Sequence, residues 1–351
     1  MRLLPVSVLL LASLLSAQTL VTTPSTTTAN VDRPFAGGVG RYQQWYAAWT
    51  LSGPGQFTTP VRIDQMEFFA GLSQSSTQTT IDMEVTISHG LGFGLLGTFA
   101  SNLVDPLVVL PRQNVTLFPG APSALVMTIP FATQFTWDRT RPIVIDIKIF
   151  GNGMNNQPFT YNHLGTASGL QAVARNYQAG NPSAVSGVVQ QSVGLITRFR
   201  GRSGFVLEYG SGCAGEGSFV PDNTVLNLPW PGIGWGHQLT GAASQRFAMW
   251  MIGDSRTTFG SFLLPADVGT MLGFAPNGCM MRQNAVASLW TTTVGGGPGA
   301  GFASINVNLP AVGWYIGMSL YTQWFVLDPN SPNGLMSATE GAWSVVAPVG
   351  G

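Results

Sequence analysis

The sequence predicts an all-β protein: two consecutive antiparallel β-sandwiches, jelly-roll-like, behind a cleaved export signal. Three observations carry this. Apolar residues recur with a period of two rather than 3.6. Glycine (44) and proline (23) punctuate the 351 residues at short intervals, as sandwiches require. Past the first seventeen residues, no window of a dozen keeps helical spacing, which removes βαβ architectures and their nucleotide sites.

The elements follow in chain order. Met1 and Arg2 open a nearly unbroken apolar run from Leu3 to Leu15, closed by the small residues Ser16 and Ala17. Charge, apolar stretch and small residues in that order make a secretory signal peptide over 1–17, with cleavage expected after Ala17. The run is shorter than the roughly 20 residues a membrane-spanning helix needs, so no membrane insertion is expected after cleavage. The expected location is extracellular or cell-surface. Residues 18–36 begin Thr/Ser-rich and read as a flexible lead-in.

A first sandwich is expected over 37–210. Ile81, Met83, Val85 and Ile87 alternate with Asp82, Glu84, Thr86 and Ser88. Ile143, Ile145, Ile147 and Ile149 alternate with Val144, Asp146, Lys148 and Phe150. Successive side chains of a strand point to opposite faces, so each run buries one face and wets the other. The boundary reads as YGSGCAGEGS at 209–218, after which seven of the ten tryptophans follow. The second sandwich, 211–351, holds an alternating run at 304–309 and a long strand at 314–327. In that strand Trp314 and Trp324 share a core face with Ile316, Met318 and Val326. Tyr321, Gln323 and Phe325 face the other way, toward a surface or a domain interface.

Charged residues are only 9% of the chain, against about 25% in ordinary domains, and the formal charges cancel. Residues 18–210 carry eleven basic and nine acidic side chains, and residues 211–351 carry three and six. Phosphate backbones demand a basic excess that neither half has, which excludes nucleic acid as a partner. Cys213 and Cys279 are the only cysteines. In an exported chain an even pair most simply forms one disulfide, stabilising by about 4 kcal/mol in the chain-entropy model. No CxxC or paired-His spacing supports a metal site, and no cofactor is expected.

GSGCAGEGSFVP at 210–221 is followed by LPWPGIGWG at 228–236, MIGDS at 251–255, LLPADVGTMLGFAPNGC at 263–279 and INVNLPAVGWYIGMSLYTQWFVLDPN at 305–330. This order resembles a C-terminal module of large secreted proteins of planctomycete-type bacteria. The segment from RYQQWYAAW at 41–49 resembles the sandwich that often precedes it. The resemblance implies the fold, export and the disulfide, and brings no activity with it.

Candidate chemistry is sparse. In LPWPGIGWGHQL, Trp230 and Trp235 lie among prolines and glycines, so the segment reads as a loop with exposed aromatics. Flat aromatic faces stack on sugar rings, and His237 or Gln238 would add hydrogen bonds. This patch is the expected ligand site. Met251–Ser255 lacks the second glycine and following helix of a nucleophile elbow, so Ser255 reads as a turn residue. His89, His163 and His237 lie far apart and read as exposed loop histidines. Asp82 and Glu84 read as solvated. Asp64 and Glu67 have no evident partner. Asp328, Asn330 and Asn333 read as turn residues rather than calcium ligands. Arg198, Arg200 and Arg202 read as a charged edge strand. No catalytic residue is assigned. The expected function is a secreted, non-catalytic module binding a glycan or cell-surface component. A structural or adhesive envelope protein is the alternative. A glycosidase using Glu208 and Glu216 at the domain junction is the third reading.

Overall fold

The computed structural model describes residues 18–25, 30–53, 55–160, 163–164 and 172–348. The export segment 1–17 lies outside them, as does the side chain of His163. The chain is all-β, with antiparallel pairing throughout the described strands.

In chain order the first unit comprises β1 (Gln18–Thr23), β2 (Asn30–Val31), β3 (Gly40–Tyr46), β4 (Val61–Phe69), β5 (Thr79–His89), β6 (Leu107–Leu117), β7 (Leu125–Trp137), β8 (Ile143–Asn152), β9 (His163–Leu164), β10 (Val173–Ala179), β11 (Val188–Gln191) and β12 (Thr197–Ser203). A four-stranded sheet β1-β12-β4-β7 and a six-stranded sheet β11-β10-β3-β8-β5-β6 share one hydrophobic core. The alternating isoleucines of β5 and β8 point into it together with Tyr46, Phe68, Trp137 and Phe199. Each such side chain contributes about 1.5–3 kcal/mol by leaving water.

The outer positions of β5 and β8 differ from a plain solvated face. Asp82 pairs with Arg112 at 2.7 Å, and Glu84 with Lys148 at 2.7 Å across the strand pair. The lead-in expectation also needs correction. Gln18–Thr23 is a strand in register with β12 along its whole length, and Val21 is buried. Threonine and valine are β-branched and suit a pleated surface, a tendency that Thr/Ser-richness masked. The pairing puts β12 between β1 and β4, so the arginine strand is not an edge. Its three arginines are held by the buried carboxylates that lacked evident partners. Arg198 pairs with Glu67, and Asp64 bridges Arg200 at 2.6 Å and Arg202 at 2.7 Å.

The second unit contains β13 (Phe205–Tyr209), β14 (Asp222–Val225), β15 (Gly234–Ala242), β16 (Phe247–Gly253), β17 (Thr258–Phe259), β18 (Phe262–Leu263), β19 (Ala266–Asp267), the short helix α1 (Val268–Met271), β20 (Met280–Met281), β21 (Ala287–Thr292), β22 (Gly301–Asn308), β23 (Ser319–Leu327), β24 (Met336–Ala338) and β25 (Gly341–Val345). The sheet β13-β25-β23-β16-β21, with β24 added on β23, packs on the three-stranded sheet β14-β15-β22 around Trp235, Trp250 and Trp324.

Because β12 belongs to the first unit and β13 pairs with β25, the chain changes sandwich at Gly204, not at 209–218. Gly204 has φ +76°, and a Cβ there would stand 2.3 Å from Ala347 Cβ. Both facts demand glycine. The outer face of the larger sheet is not an open surface. Tyr321, Gln323 and Phe325 are buried on it. A flap from residue 254 to residue 286 covers part of this face, and the Cys213–Cys279 disulfide ties the flap down. Trp314 leaves the core face assigned to it. It lies in a 3-10 turn, Gly313–Tyr315, before β23 begins, and is 67% exposed.

Candidate functional site

The expected aromatic patch does not form on the surface. Trp235 and His237 lie on β15, each 0% exposed, and point into the core. Trp230 is half-buried in the turn before the strand, and Gln238 points the other way from its neighbours, also half-buried. The physical reason is period two: residues 235, 237 and 239 take the inner face of β15. Positions 234 and 236 take the outer face, where Asn306 and Leu226 stand 2.7 and 3.2 Å from where a Cβ would be, which suits glycine. The glycines that read as loop punctuation are close-approach positions in a strand.

The imidazole of His237 lies edge-on to Trp235 at 4.3 Å and tilted over Trp250 at 4.7 Å between centroids. Neither ring nitrogen has a hydrogen-bond partner among the described residues. Burial lowers its pKa to about 3, so it stays neutral.

His89, at the end of β5, is likewise buried rather than in an exposed loop. Its Nδ1 lies 2.7 Å from Asp105 Oδ2, and its Nε2 lies 3.8 Å from Asp138 Oδ2. Burial lowers the His89 pKa against the opposing pull of both carboxylates. For Asp105, burial alone would raise the pKa. The His89 amide and imidazole and Arg141 outweigh it, and the net shift is downward. Ser88 Oγ donates to the His89 carbonyl at 2.8 Å and accepts from the amides of Val104 and Asp105. Among the described residues no hydroxyl is hydrogen-bonded to the imidazole in the way a Ser–His–Asp nucleophile needs, and the cluster pins two loops to β5.

The other acids are engaged or separate. Glu208 is exposed on β13, whereas Glu216 stands 3.8 Å from Arg246. Asp328 is buried and accepts the amides of Glu216 and Asn330. Asn284 Oδ1 accepts the amides of Asp254 and Ser255, which makes Ser255 part of a turn. Among the described residues, no three His, Cys, Asp or Glu side chains converge as a metal site would require.

A concave site with the right chemistry for a polar ligand lies elsewhere, on the outer face of the first unit. Residues 90–103 fold back over β3 and β10. Three amide side chains, each 1% exposed or less, fasten this loop. Asn102 donates to the Leu96 carbonyl at 2.9 Å, Asn176 to that of Gly97 at 3.0 Å, and Gln43 to that of Phe99 at 3.0 Å. Under the loop, Trp45 donates its indole N–H to the Leu91 carbonyl at 3.1 Å. The result is a hollow of about 380 Å³ walled by Trp45, Phe93, Gln191 and Ser192. Phe93 is 100% exposed at the tip, between Gly92 and Gly94. Gly94 has φ +93°, and a Cβ on it would lie 3.0 Å from Gln191 Oε1, so the tip needs glycine. The run HGLGFGLLG at 89–97 was the available sequence signal: a large aromatic framed by glycines. Its partners Gln191 and Ser192 are about a hundred residues away and come from a different strand end.

No protein-family model matches this chain, and no curated protein matches it.

Proposed function

We propose that this protein is an exported, non-catalytic binding module whose ligand is a carbohydrate held in the hollow at Phe93. The observation that carries the reading is a fully exposed phenylalanine on a loop fastened by buried amides. Exposing an aromatic ring costs free energy, and a ligand face stacked on it recovers that cost. A sugar ring offers an apolar face to Phe93 and hydroxyls to Gln191 and Ser192. Walls that combine one aromatic platform with a few polar groups suit such a ligand. The loop is fastened before binding, so little ordering entropy opposes the complex.

The test is retention on a panel of insoluble polysaccharides, followed by titration with soluble fragments of those that retain it. Phe93→Ala is expected to weaken binding about tenfold, the worth of one stacked ring, with the unfolding temperature unchanged. Gln191→Ala should weaken it as well. Absence of binding across the panel, or equal binding by Phe93→Ala, removes the reading.

A further inference from the structure

We infer that the second unit carries a separate binding site for a single alkyl chain of a monomeric amphiphile. The inference goes beyond the carbohydrate reading and rests on different residues in the other sandwich. It starts from β16, where Phe247, Met249 and Met251 alternate with Ala248, Trp250 and Ile252. The second set points into the core between the sheets. The first set points outward, where β23 adds Phe325 beside Met249 and β21 adds Trp290. The flap contributes Val268, Leu272 and Met281 from above, and Met336 of β24 closes one side.

The space enclosed between flap and sheet is about 170 Å³, and its wall exposes no polar atom. Apolar cavities near 150 Å³ in other proteins stay dry and take up benzene-sized molecules, so water is a poor occupant here. Four of the lining residues are methionines: 249, 251, 281 and 336. Methionine is unbranched and polarisable, and it adapts its shape to a flexible guest. The lining contains no charged side chain, and its one side-chain hydrogen-bond donor is the indole of Trp290, which is 60% exposed.

The shape favours a chain over a disc. The apolar track along β16 from Phe247 to Met251 covers four residue steps, about 13 Å of strand. It continues into the open at Phe247, Trp290 and Leu327, which are 64%, 60% and 43% exposed. Exposed apolar residues next to one another at a cavity mouth mark a surface that is covered in use. The charges flanking the track are turned elsewhere. Arg246 faces Glu216, and Asp267 accepts the amides of Thr270, Asn277 and Gly278 within the flap. A chain end seated among the methionines therefore leaves its headgroup in water beyond Phe247.

The flap that forms one wall of the pocket is fixed by its own contacts. Cys279 anchors the flap to Cys213, and the Asp267 carboxylate organises its backbone. Such preorganisation favours binding because the protein orders little on complex formation.

The experiment is calorimetric titration of the full mature chain with straight-chain primary alcohols from hexanol to dodecanol. Affinity should rise about fourfold per added methylene until the track is filled, and then level off. Leu272→Glu places a charge at the mouth on an exposed position and should weaken decanol binding at least about tenfold. Met249→Trp, which fills the cavity from a half-buried position, should do the same. Circular dichroism and an intact disulfide serve as the folding controls. A flat series, unsaturable uptake, or unchanged affinity in both variants overturns the inference. So does sedimentation with phosphatidylcholine vesicles in the absence of alcohol binding, which would make the face a membrane contact. Because Phe93→Ala leaves this site intact, failure of the carbohydrate reading would not affect the alcohol titration.

Discussion

At the scale of single residues, His237 gives the sharpest contrast between sequence and structure. Between a glycine and a glutamine in a proline-rich stretch it reads as a ligand-binding residue, yet it lies among Trp235 and Trp250 with no hydrogen-bond partner among the described residues. Its folded pKa, lowered to about 3 by burial, lies below the 6.5 of the unfolded chain. The neutral ring is therefore the form that folds, and its stability is fully present above pH 6.5. As pH falls from 6.5 toward 3, the unfolded chain takes up a proton that the folded chain refuses. Stability drops by about 1.4 kcal/mol per pH unit over that window. Burial lowers His89 as well, in the same direction. In His237→Leu, denaturant titrations should show a shallower acid decline. Stability at pH 7 should lie within about 1 kcal/mol of the parent, since an apolar group of similar size removes two unpaired nitrogens. An unaltered acid slope would contradict this assignment.

At the scale of elements, β1 and the arginine ladder act together. Alternation made the strands legible wherever apolar and polar residues simply alternate, as in β5 and β8. It failed at β1, where a threonine, Thr23, shares the buried face with Val21 and the apolar Leu20 is exposed. It failed again at β15, where glycines occupy outward positions. Pairing partners are long-range facts: Asp64 meets Arg200 and Arg202 from 136 and 138 residues away. Asp64→Asn keeps the shape and removes the charge. It should lower stability by about 1–3 kcal/mol, discounted because the arginines are partly exposed. High salt should shrink the difference. A chain that begins at residue 24 would leave β12 with an unpaired edge and Val21's pocket empty. Light scattering should detect self-association of that chain, and its melting temperature should fall. A monomer with an unchanged melting temperature would show that β1 is dispensable.

At the scale of the whole molecule, the two sandwiches have separate cores and, among the described residues, share no sheet. Calorimetry should accordingly resolve two transitions. The disulfide, closing 66 residues within the second unit, should make only one of them sensitive to reductant. The expected loss is about 4 kcal/mol, near 10 °C for a unit of this size. A single transition shifting as one would mean the units unfold together. The sequence by itself determined the all-β class and the pairing of two cysteines, because period-two alternation and residue parity are local properties of the chain. Only the tertiary structure decided where the sandwiches meet, which aromatics are exposed, and which strand supplies each wall of a hollow. Those depend on register and on contacts between residues far apart in the chain. Phe93 lies 98 residues before Gln191 and Met249 lies 76 before Phe325, and no local pattern specifies such a meeting.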